Sequence, residues 1–365
     1  MDKQRIAVIG AGGCGNKLLN TLMDIDPRYT PVFCNTNIRE MENLEHFDAG
    51  NNSLYFANAG GTGRDRNKAK EAVKKEQAKT MDFLANRFSQ TSGIDTFFLM
   101  GSSDGGTGSG SIPILAKAIK AVNPDATVNI IGAMSGLNEK EASLQNTKGF
   151  WNDIVVLMKN GTVNSVQFID NNKMSDEEEF NIDVMTEFDN SISIDNEEID
   201  IIDSEKVNTA RGYKVTLNLD SRLARLDVKK AIKQAKESSN FLIPELNKNE
   251  TFECDFAMIS IDSESGIDKN SFKGFFEVYD LDKYDYNDEE KNMIVLGGVE
   301  LPKDYIELID IELATLKEKR ANRDIFSDDL IVETDAEVKK EIPKKKKAMS
   351  RKQLNNLMKN TNLWD

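Results

Sequence analysis

At 365 residues the chain is long enough for about two domains of ordinary size, and its 39% hydrophobic content can bury a real core. A net charge of -15 argues against nonspecific nucleic-acid binding by the body of the protein. No apolar run approaches the roughly 18 residues of a membrane span, the start runs straight into a strand pattern with no signal peptide, and the three scattered cysteines, Cys14, Cys34 and Cys254, offer no metal spacing and fit a reducing cytoplasm. His46 is the only histidine and has no nucleophile motif around it, which speaks against Ser-His-Asp or Cys-His catalysis.

In chain order, Arg5-Ile6-Ala7-Val8-Ile9 predicts a first strand that runs into Gly10-Ala11-Gly12-Gly13-Cys14-Gly15 and a helix from Asn16 to Met23. Glycines without Cβ atoms let backbone N–H groups converge on an anion at a helix start. The Gly-x-Gly-x-x-Gly spacing also suits a nicotinamide-dependent dehydrogenase, but that site asks for an acid at the end of the second strand. Here the strand Pro31–Cys34 ends in Asn35-Thr36-Asn37. A second turn, Gly60-Gly61-Thr62-Gly63-Arg64-Asp65, opens a helical stretch from Asn67 to Phe88. The strand Ile94–Met100 then leads through Gly101-Ser102-Ser103-Asp104-Gly105-Gly106-Thr107-Gly108-Ser109-Gly110 into a helix from Ile112 to Val122. That run is built to hold phosphate, with Thr107 and Ser109 adding hydroxyls. It lacks the closing Gly-Lys-Ser/Thr of a P-loop. Three phosphate-capable turns on one chain are most simply one nucleotide with several phosphates.

Further strands are predicted near 127–132 and 164–169, so the first half alternates strand and helix and implies a mainly parallel sheet covered on both faces. The pattern Met185, Phe188, Ile192, Ile199, Ile202 suggests a long helix over 182–210, although Ile192, Ile194 and Ile201 interrupt its period. A helix over 221–237 follows. Strands over Glu253–Ile261, Gly274–Tyr279 and Met293–Val299 and a closing helix from Tyr305 to about Arg323 make a smaller α+β part.

Together these residues resemble the tubulin/FtsZ superfamily of filament-forming GTPases. Asp104-Gly105-Gly106-Thr107-Gly108-Ser109-Gly110 is similar to its Gly-Gly-Gly-Thr-Gly-Ser/Thr-Gly motif, with Asp104 departing at the first glycine. Gly13-Cys14-Gly15-Asn16, with Gly12 just before it, looks like the tubulin Gly-Cys-Gly-Asn turn, and Asn35 and Asn37 look like the FtsZ segment under the phosphates. The turn with Gly60, Gly61, Thr62 and Gly63 falls where the family senses the γ-phosphate. Ile169-Asp170-Asn171 looks like the strand end whose asparagine reads guanine and ribose, which makes Asn171 the base-reading candidate. By position Phe188 either stacks on the base, with Asn190 nearby, or sits in the core; Glu139 and Glu141 are equal candidates for the ribose, or a solvated charge run. Leu217-Asn218-Leu219-Asp220 looks like the catalytic loop, which in the family projects from the far side of the subunit and completes the neighbour's pocket. Asp220, assisted by Asn218, would polarise the attacking water or merely cap the next helix; Asp227 stands in for the second acid, whose family position is Leu223 here.

The resemblance implies a tubulin/FtsZ-like α/β fold: a Rossmann-type parallel-sheet GTPase domain with central helix (1–212), a smaller α+β C-terminal domain (213–325) and an extended tail (326–365). It also implies GTP or GDP with Mg²⁺ as cofactors. From Ala336 to Asp365 nine Lys/Arg stand against three Asp/Glu; Leu354, Leu357 and Met358 lie at helical spacing, and Leu363-Trp364 forms an apolar anchor. That tail and the Asp104 divergence look most like the TubZ branch, which moves plasmid or phage DNA through a small DNA-binding adaptor. Partners implied are further copies of the chain, head to tail, and a TubR-like adaptor on centromere DNA. A cell-division FtsZ or a phage DNA-positioning tubulin is the alternative within the superfamily.

Overall fold

The computed structural model describes residues 1–57, 60–248 and 250–323. The chain divides into two compact units, Met1–Glu318 and Lys319–Asp365, and the sheet and the candidate site lie in the first. The tail features at Leu354, Leu357, Met358 and Leu363-Trp364 fall outside the described residues.

The strands are β1 (Ile6–Ala11), β2 (Thr30–Asn35), β3 (Ser53–Tyr55), β4 (Thr96–Ser102), β5 (Thr127–Met134), β6 (Ser165–Asp170), β7 (Gly212–Asn218), β8 (Phe252–Asp262), β9 (Phe276–Asn287) and β10 (Met293–Val299). The helices are α1 (Gly12–Ile25), α2 (Ile38–Glu42), α3 (Arg66–Lys75), α4 (Gln77–Phe88), α5 (Thr107–Val122), α6 (Glu141–Lys159), α7 (Glu177–Ser193), α8 (Ile201–Thr209), α9 (Ser221–Leu226), α10 (Val228–Ser238) and α11 (Lys303–Ala321). All ten strands join one sheet in the order β3-β2-β1-β4-β5-β6-β7-β10-β8-β9. From β3 to β7 every pairing is parallel, and β10 runs antiparallel to both β7 and β8.

Strands flanked by helices on both faces are apolar throughout, and β1, β4 and β5 are buried almost end to end. On one face Ile9, Leu99, Ile130 and Val166 pack with Leu84, Leu115, Leu144 and Ile154. On the other, Val8, Phe98 and Ile131 pack with Leu18, Leu22, Val184 and Phe188. Parallel register aligns the carboxyl ends of β1, β2 and β4, so the turns that leave them open on one edge of the sheet.

The expected long helix over 182–210 is two helices. α7 begins five residues earlier and ends at Ser193, because Ile194 and Ile199 turn into a third core cluster with Met258, Met293 and Val295. The Glu198 N–H donates to Asp285 (2.7 Å), and Asp200 caps α8 by accepting from the Asp203 N–H. The stretches 67–88 and 221–237 also divide, at Glu76 and at Asp227. Neither β7, which takes in Leu217 and Asn218 of the segment expected as the catalytic loop, nor short β3 was foreseen.

Candidate functional site

The turns after β1 and β4 form where a buried strand runs into glycine-rich sequence. Helix α1 starts at Gly12 (φ +74°) after Ala11, which offers no side-chain cap, and α5 starts at Thr107 after Gly106, again without one. Two helix N-termini with uncapped N–H groups thus meet at one place. They face a cavity of about 280 Å³ whose walls include Gly12, Gly13, Asn35, Thr36, Asn37, Gly61, Thr62, Gly63, Gly105, Gly106, Thr107 and Gly108. Glu40 and Arg64 are the charged groups in that wall.

The glycines divide by role. A Cβ on Gly10 or Gly15 would strike backbone carbonyls of α1 or β4, so these two serve close packing and do not line the cavity. Gly61 and Gly63 have φ of +87° and +56° with open space around them, so there the backbone conformation itself requires glycine. Gly60 shares the left-handed backbone without lining the cavity.

Three hydroxyls knit the turns together. Thr107 Oγ1 lies 2.8 Å from Thr36 Oγ1 and 3.5 Å from Thr62 Oγ1, so β2, β4 and the 60–65 turn meet on one side chain. Thr36 was missed by motif reasoning, which singled out the asparagines on either side. Those asparagines both donate to Glu40, Asn35 to Oε2 and Asn37 to Oε1, each at 2.9 Å.

Other expected residues take supporting positions. The Asn16 side chain is buried with both ends on the Cys34 backbone, fixing α1 to β2 rather than facing the cavity. Cys14 packs against the core, and burial, aided by Asp104 and Glu177, pushes its thiol up to about 12, so it stays neutral. Ser109 is fully buried and bonds back to the Gly105 carbonyl. Asn171 opens the turn after β6, where its neighbour Asn172 accepts from the Leu137 N–H (2.8 Å) and so brings in the loop that carries Glu139. Glu139 lies 3.5 Å from Arg64, and Glu141 begins α6 and accepts from Gln145.

Phe188 and Asn190 require correction. Because α7 starts at Glu177, its first turn approaches α1 through Lys17–Glu177, while Phe188 falls in its last third. Phe188 is 1% exposed and sits edge-on to Phe98 at 5.0 Å, so it is core. Asn190 lines a cleft with Ile194, Asn196, Ser260 and Met293 instead of the cavity.

Of the catalytic candidates, Asn218 ends β7, Asp220 caps α9 by accepting from the Leu223 N–H (2.7 Å), and Asp227 caps α10 and pairs with Lys230. None borders the cavity. β7 pairs parallel with β6, so Asp220 follows the carboxyl end of its strand. The opposite, amino-terminal edge holds different acids. The last turns of α7 reach it through Asp189, whose carboxylate meets Lys3 (2.6 Å) just before β1 and accepts from the Tyr29 hydroxyl (2.8 Å) just before β2. The α7–α8 turn follows with Asp195, Glu197 and Asp200 exposed, beside exposed Ile201 and Ile202. The scrambled isoleucine period at 192–202 was the sequence signal for that turn.

The 60–70 segment is seated along one face of α6. Arg64 Nη1 donates to Ser143 Oγ (2.9 Å), and Asn146 Nδ2 donates to the Arg64 carbonyl (2.7 Å) and the Asp104 carbonyl (2.9 Å). Asp153 takes both Arg66 and Lys70 at 2.7 Å. Burial opposes ionisation of Asp153, but the two cations outweigh it and hold its carboxyl below its ordinary value. Arg66 also donates to the Ser109 carbonyl (2.9 Å). Pro113, inside α5, has no N–H to offer that carbonyl four residues back, which leaves it free for the guanidinium.

Glycine turns at strand ends, two helix N-termini on one cavity and the mixed ten-stranded sheet define a nucleotide-binding α/β protein. Residues 5–178 match the model of the Tubulin/FtsZ family, GTPase domain, so the chain carries the GTPase domain of that family. Among its relatives is the tubulin-like protein TubZ of Clostridium botulinum C phage, 23% identical over 344 residues, spanning 91% of this chain and 89% of that one. The structure of Clostridium botulinum phage c-st TubZ with a truncated C-terminal tail superposes with a TM-score of 0.76 at 23% identity, covering 88% of this chain and all of that chain. A GTPγS-form protofilament of Bacillus thuringiensis serovar israelensis TubZ gives 0.69 at 17% identity, covering 87% of this chain and 92% of that chain.

Proposed function

We propose that the protein binds GTP at the cavity, assembles head to tail, and hydrolyses GTP only where one subunit's acid meets the next subunit's nucleotide. The observation that carries this reading is the meeting of Thr36, Thr62 and Thr107 from three separate turns at one cavity. In this reading the free N–H groups at Gly12–Gly13 and Gly106–Thr107 cradle phosphate oxygens, and Asn171 and one of Glu139 or Glu141 read base and ribose. The wall's oxygen donors, the Thr36 and Thr107 hydroxyls and the Glu40 carboxylate, fit a hard divalent cation held mainly through substrate phosphates. Mg²⁺ would supply neutralisation of charge on the phosphates.

Residues 1–212 then serve nucleotide binding and also carry the acidic Asp195–Asp200 turn, while 213–325 add to subunit contact, although one sheet runs through both. Two acidic segments are candidates for the trans acid. Asp220 carries the motif; the Asp195–Asp200 turn has the position, since it lies on the edge opposite the cavity beside exposed Ile201 and Ile202, whose burial against a neighbour would favour contact. Position is the stronger requirement, and it favours Asp200. The protofilament structure of TubZ supports self-assembly. By the same kinship the cargo is plasmid or phage DNA, held through a TubR-like adaptor on the basic tail.

The test is GTP turnover per molecule against protein concentration, with pelleting in GTP and in GDP. Turnover should rise about tenfold or more through a critical concentration, with pellets in GTP alone. Turnover independent of concentration would remove the trans-acting site.

A further inference from the structure

The loop after β5 and the turn after β6 leave the same edge of the sheet as the phosphate turns, because β4, β5 and β6 run parallel. The first carries Glu139 and the second Asn171, and one side chain from far along the chain fastens both. Tyr305 lies in the first turn of α11, at the head of the apolar stripe Tyr305, Ile309 and Leu313 that packs into the main core. It is 4% exposed, and its hydroxyl stands between the two segments. The hydroxyl donates to the Ser135 carbonyl and accepts from Asn172 Nδ2 at 3.1 Å.

Chemistry fixes the direction of both bonds. A carbonyl oxygen only accepts and an amide nitrogen only donates, so the phenol must aim its one proton at Ser135. Burial pushes the phenol up to about 12 against the opposing effect of the Asn172 bond, so the proton stays in place at neutral pH. Asn172 closes the circuit, since its Oδ1 accepts from the Leu137 N–H (2.8 Å) and its Nδ2 also donates to Asp170 (2.7 Å). On the other side of the turn, the Asp170 N–H donates to the Asn240 carbonyl (2.9 Å), and the Lys173 ammonium to the Glu237 and Ser239 carbonyls at the end of α10. Asn171 therefore sits among neighbours that are all tied down, and Tyr305 is the link from them to the Glu139 loop.

We propose that Tyr305 is a positioning residue for the nucleoside end of the site: its hydroxyl fixes the spacing between the loop that bears Glu139 and the turn that bears Asn171. The proposal rests on the reading of the cavity as a GTP site, with these two segments at its base and ribose, and deepens it. Tyr305 does not line the phosphate cavity, so it acts only through the segments it joins. A binding constellation depends on such supporting hydrogen bonds to hold its geometry to within a fraction of an ångström. Because α11 lies beyond residue 212, a helix outside the nucleotide-binding part sets how well the nucleoside is held.

The experiment measures GTPγS and GDP affinities of the full-length protein by calorimetry, and GTP turnover at one fixed protein concentration. In Tyr305→Phe, which keeps the ring in the core, both affinities should fall equally, by about tenfold, because the two nucleotides share the nucleoside; KM for GTP should rise by a similar factor with kcat within about twofold. Asn172→Ala should lose at least as much, and adding Tyr305→Phe to it should weaken binding by no more than about a further twofold, since both changes break one junction. Ile309→Val, one turn along the same stripe, should lower the unfolding midpoint and leave both affinities within about twofold of wild type. Unchanged affinities in Tyr305→Phe, a loss confined to GTPγS, a fall in kcat with KM unchanged, additive losses in the double variant, or an equal loss in Ile309→Val would overturn the proposal. A wild-type protein that binds neither nucleotide would instead overturn the reading of the cavity.

Discussion

Thr36 shows what a residue's neighbours decide. Flanked by two asparagines of obvious motif value, its hydroxyl is the one that reaches Thr107, because alternation along β2 turns it inward at the strand's end. A second polar group, Asp26, has a measurable effect away from the cavity. Arg28 holds its carboxyl well below the usual carboxylate range, against the opposing effect of burial, and Lys3 adds to the effect. Lys3 is 4% exposed and also meets Asp189, so this cluster ties β1, β2 and α7 at the amino-terminal edge. Since the folded value lies below the ordinary 3.8, the stabilisation is complete above about pH 4 and is lost as pH falls further. Asp26→Asn should cost about 2 kcal/mol in urea unfolding at pH 7, less than a fully orphaned buried charge because Lys3 keeps Asp189. The gap from wild type should narrow below pH 4; a gap that stays constant would show that ionisation of Asp26 is not its source.

Among elements, the short apolar strands bounded by small or polar turn residues were legible in the sequence: β1, β2, β4, β5, β6 and β10 fall within a few residues of expectation. Helix interruptions were not. α7 and α8 separate because Ile194 and Ile199 are drawn to Met258 and Val295, residues some sixty to a hundred positions away that no local pattern reveals. The same blindness displaced Phe188 and Asn190, since a helix that starts five residues early carries its later residues to the other edge. It also hid the α6 seat: Ser143, Asn146, Gly149 and Asp153 lie on one helical face only once the 60–70 segment is known to cross it. At this scale the two acidic segments make opposed predictions. Asp200→Ala should assemble with GTP yet turn over about a hundredfold more slowly. Asp220→Ala should lose about 1 kcal/mol of stability from its cap while turnover stays within twofold. The reverse pattern in steady-state phosphate release would return the trans acid to Asp220.

For the molecule as a whole, the parallel strands align the phosphate turns on one edge, and α7 runs from the Lys17 contact near them to Asp189 at the other. A 17-residue helix spans about 25 Å, so a single rod joins the cavity side to the edge proposed to meet a neighbour. Motifs alone made the cavity legible because each turn is local; the polarity of the subunit needed the sheet order. The body and the tail should separate by function. Ending the chain at Arg323 should leave GTP turnover within about twofold of wild type and abolish salt-sensitive retention of a DNA-bound adaptor. Equal retention by the shortened protein would assign that partner to the body.

Pro113 gives the last consequence. A proline in mid-helix is ordinarily a defect worth about 3 kcal/mol, yet the rung it leaves vacant in α5 is the socket that receives Arg66. An alanine there would offer its own N–H to that carbonyl and compete with the guanidinium for it, so the two positions, 47 residues apart, form one heritable lock. Descendants that abandon the proline should be free to abandon the arginine as well.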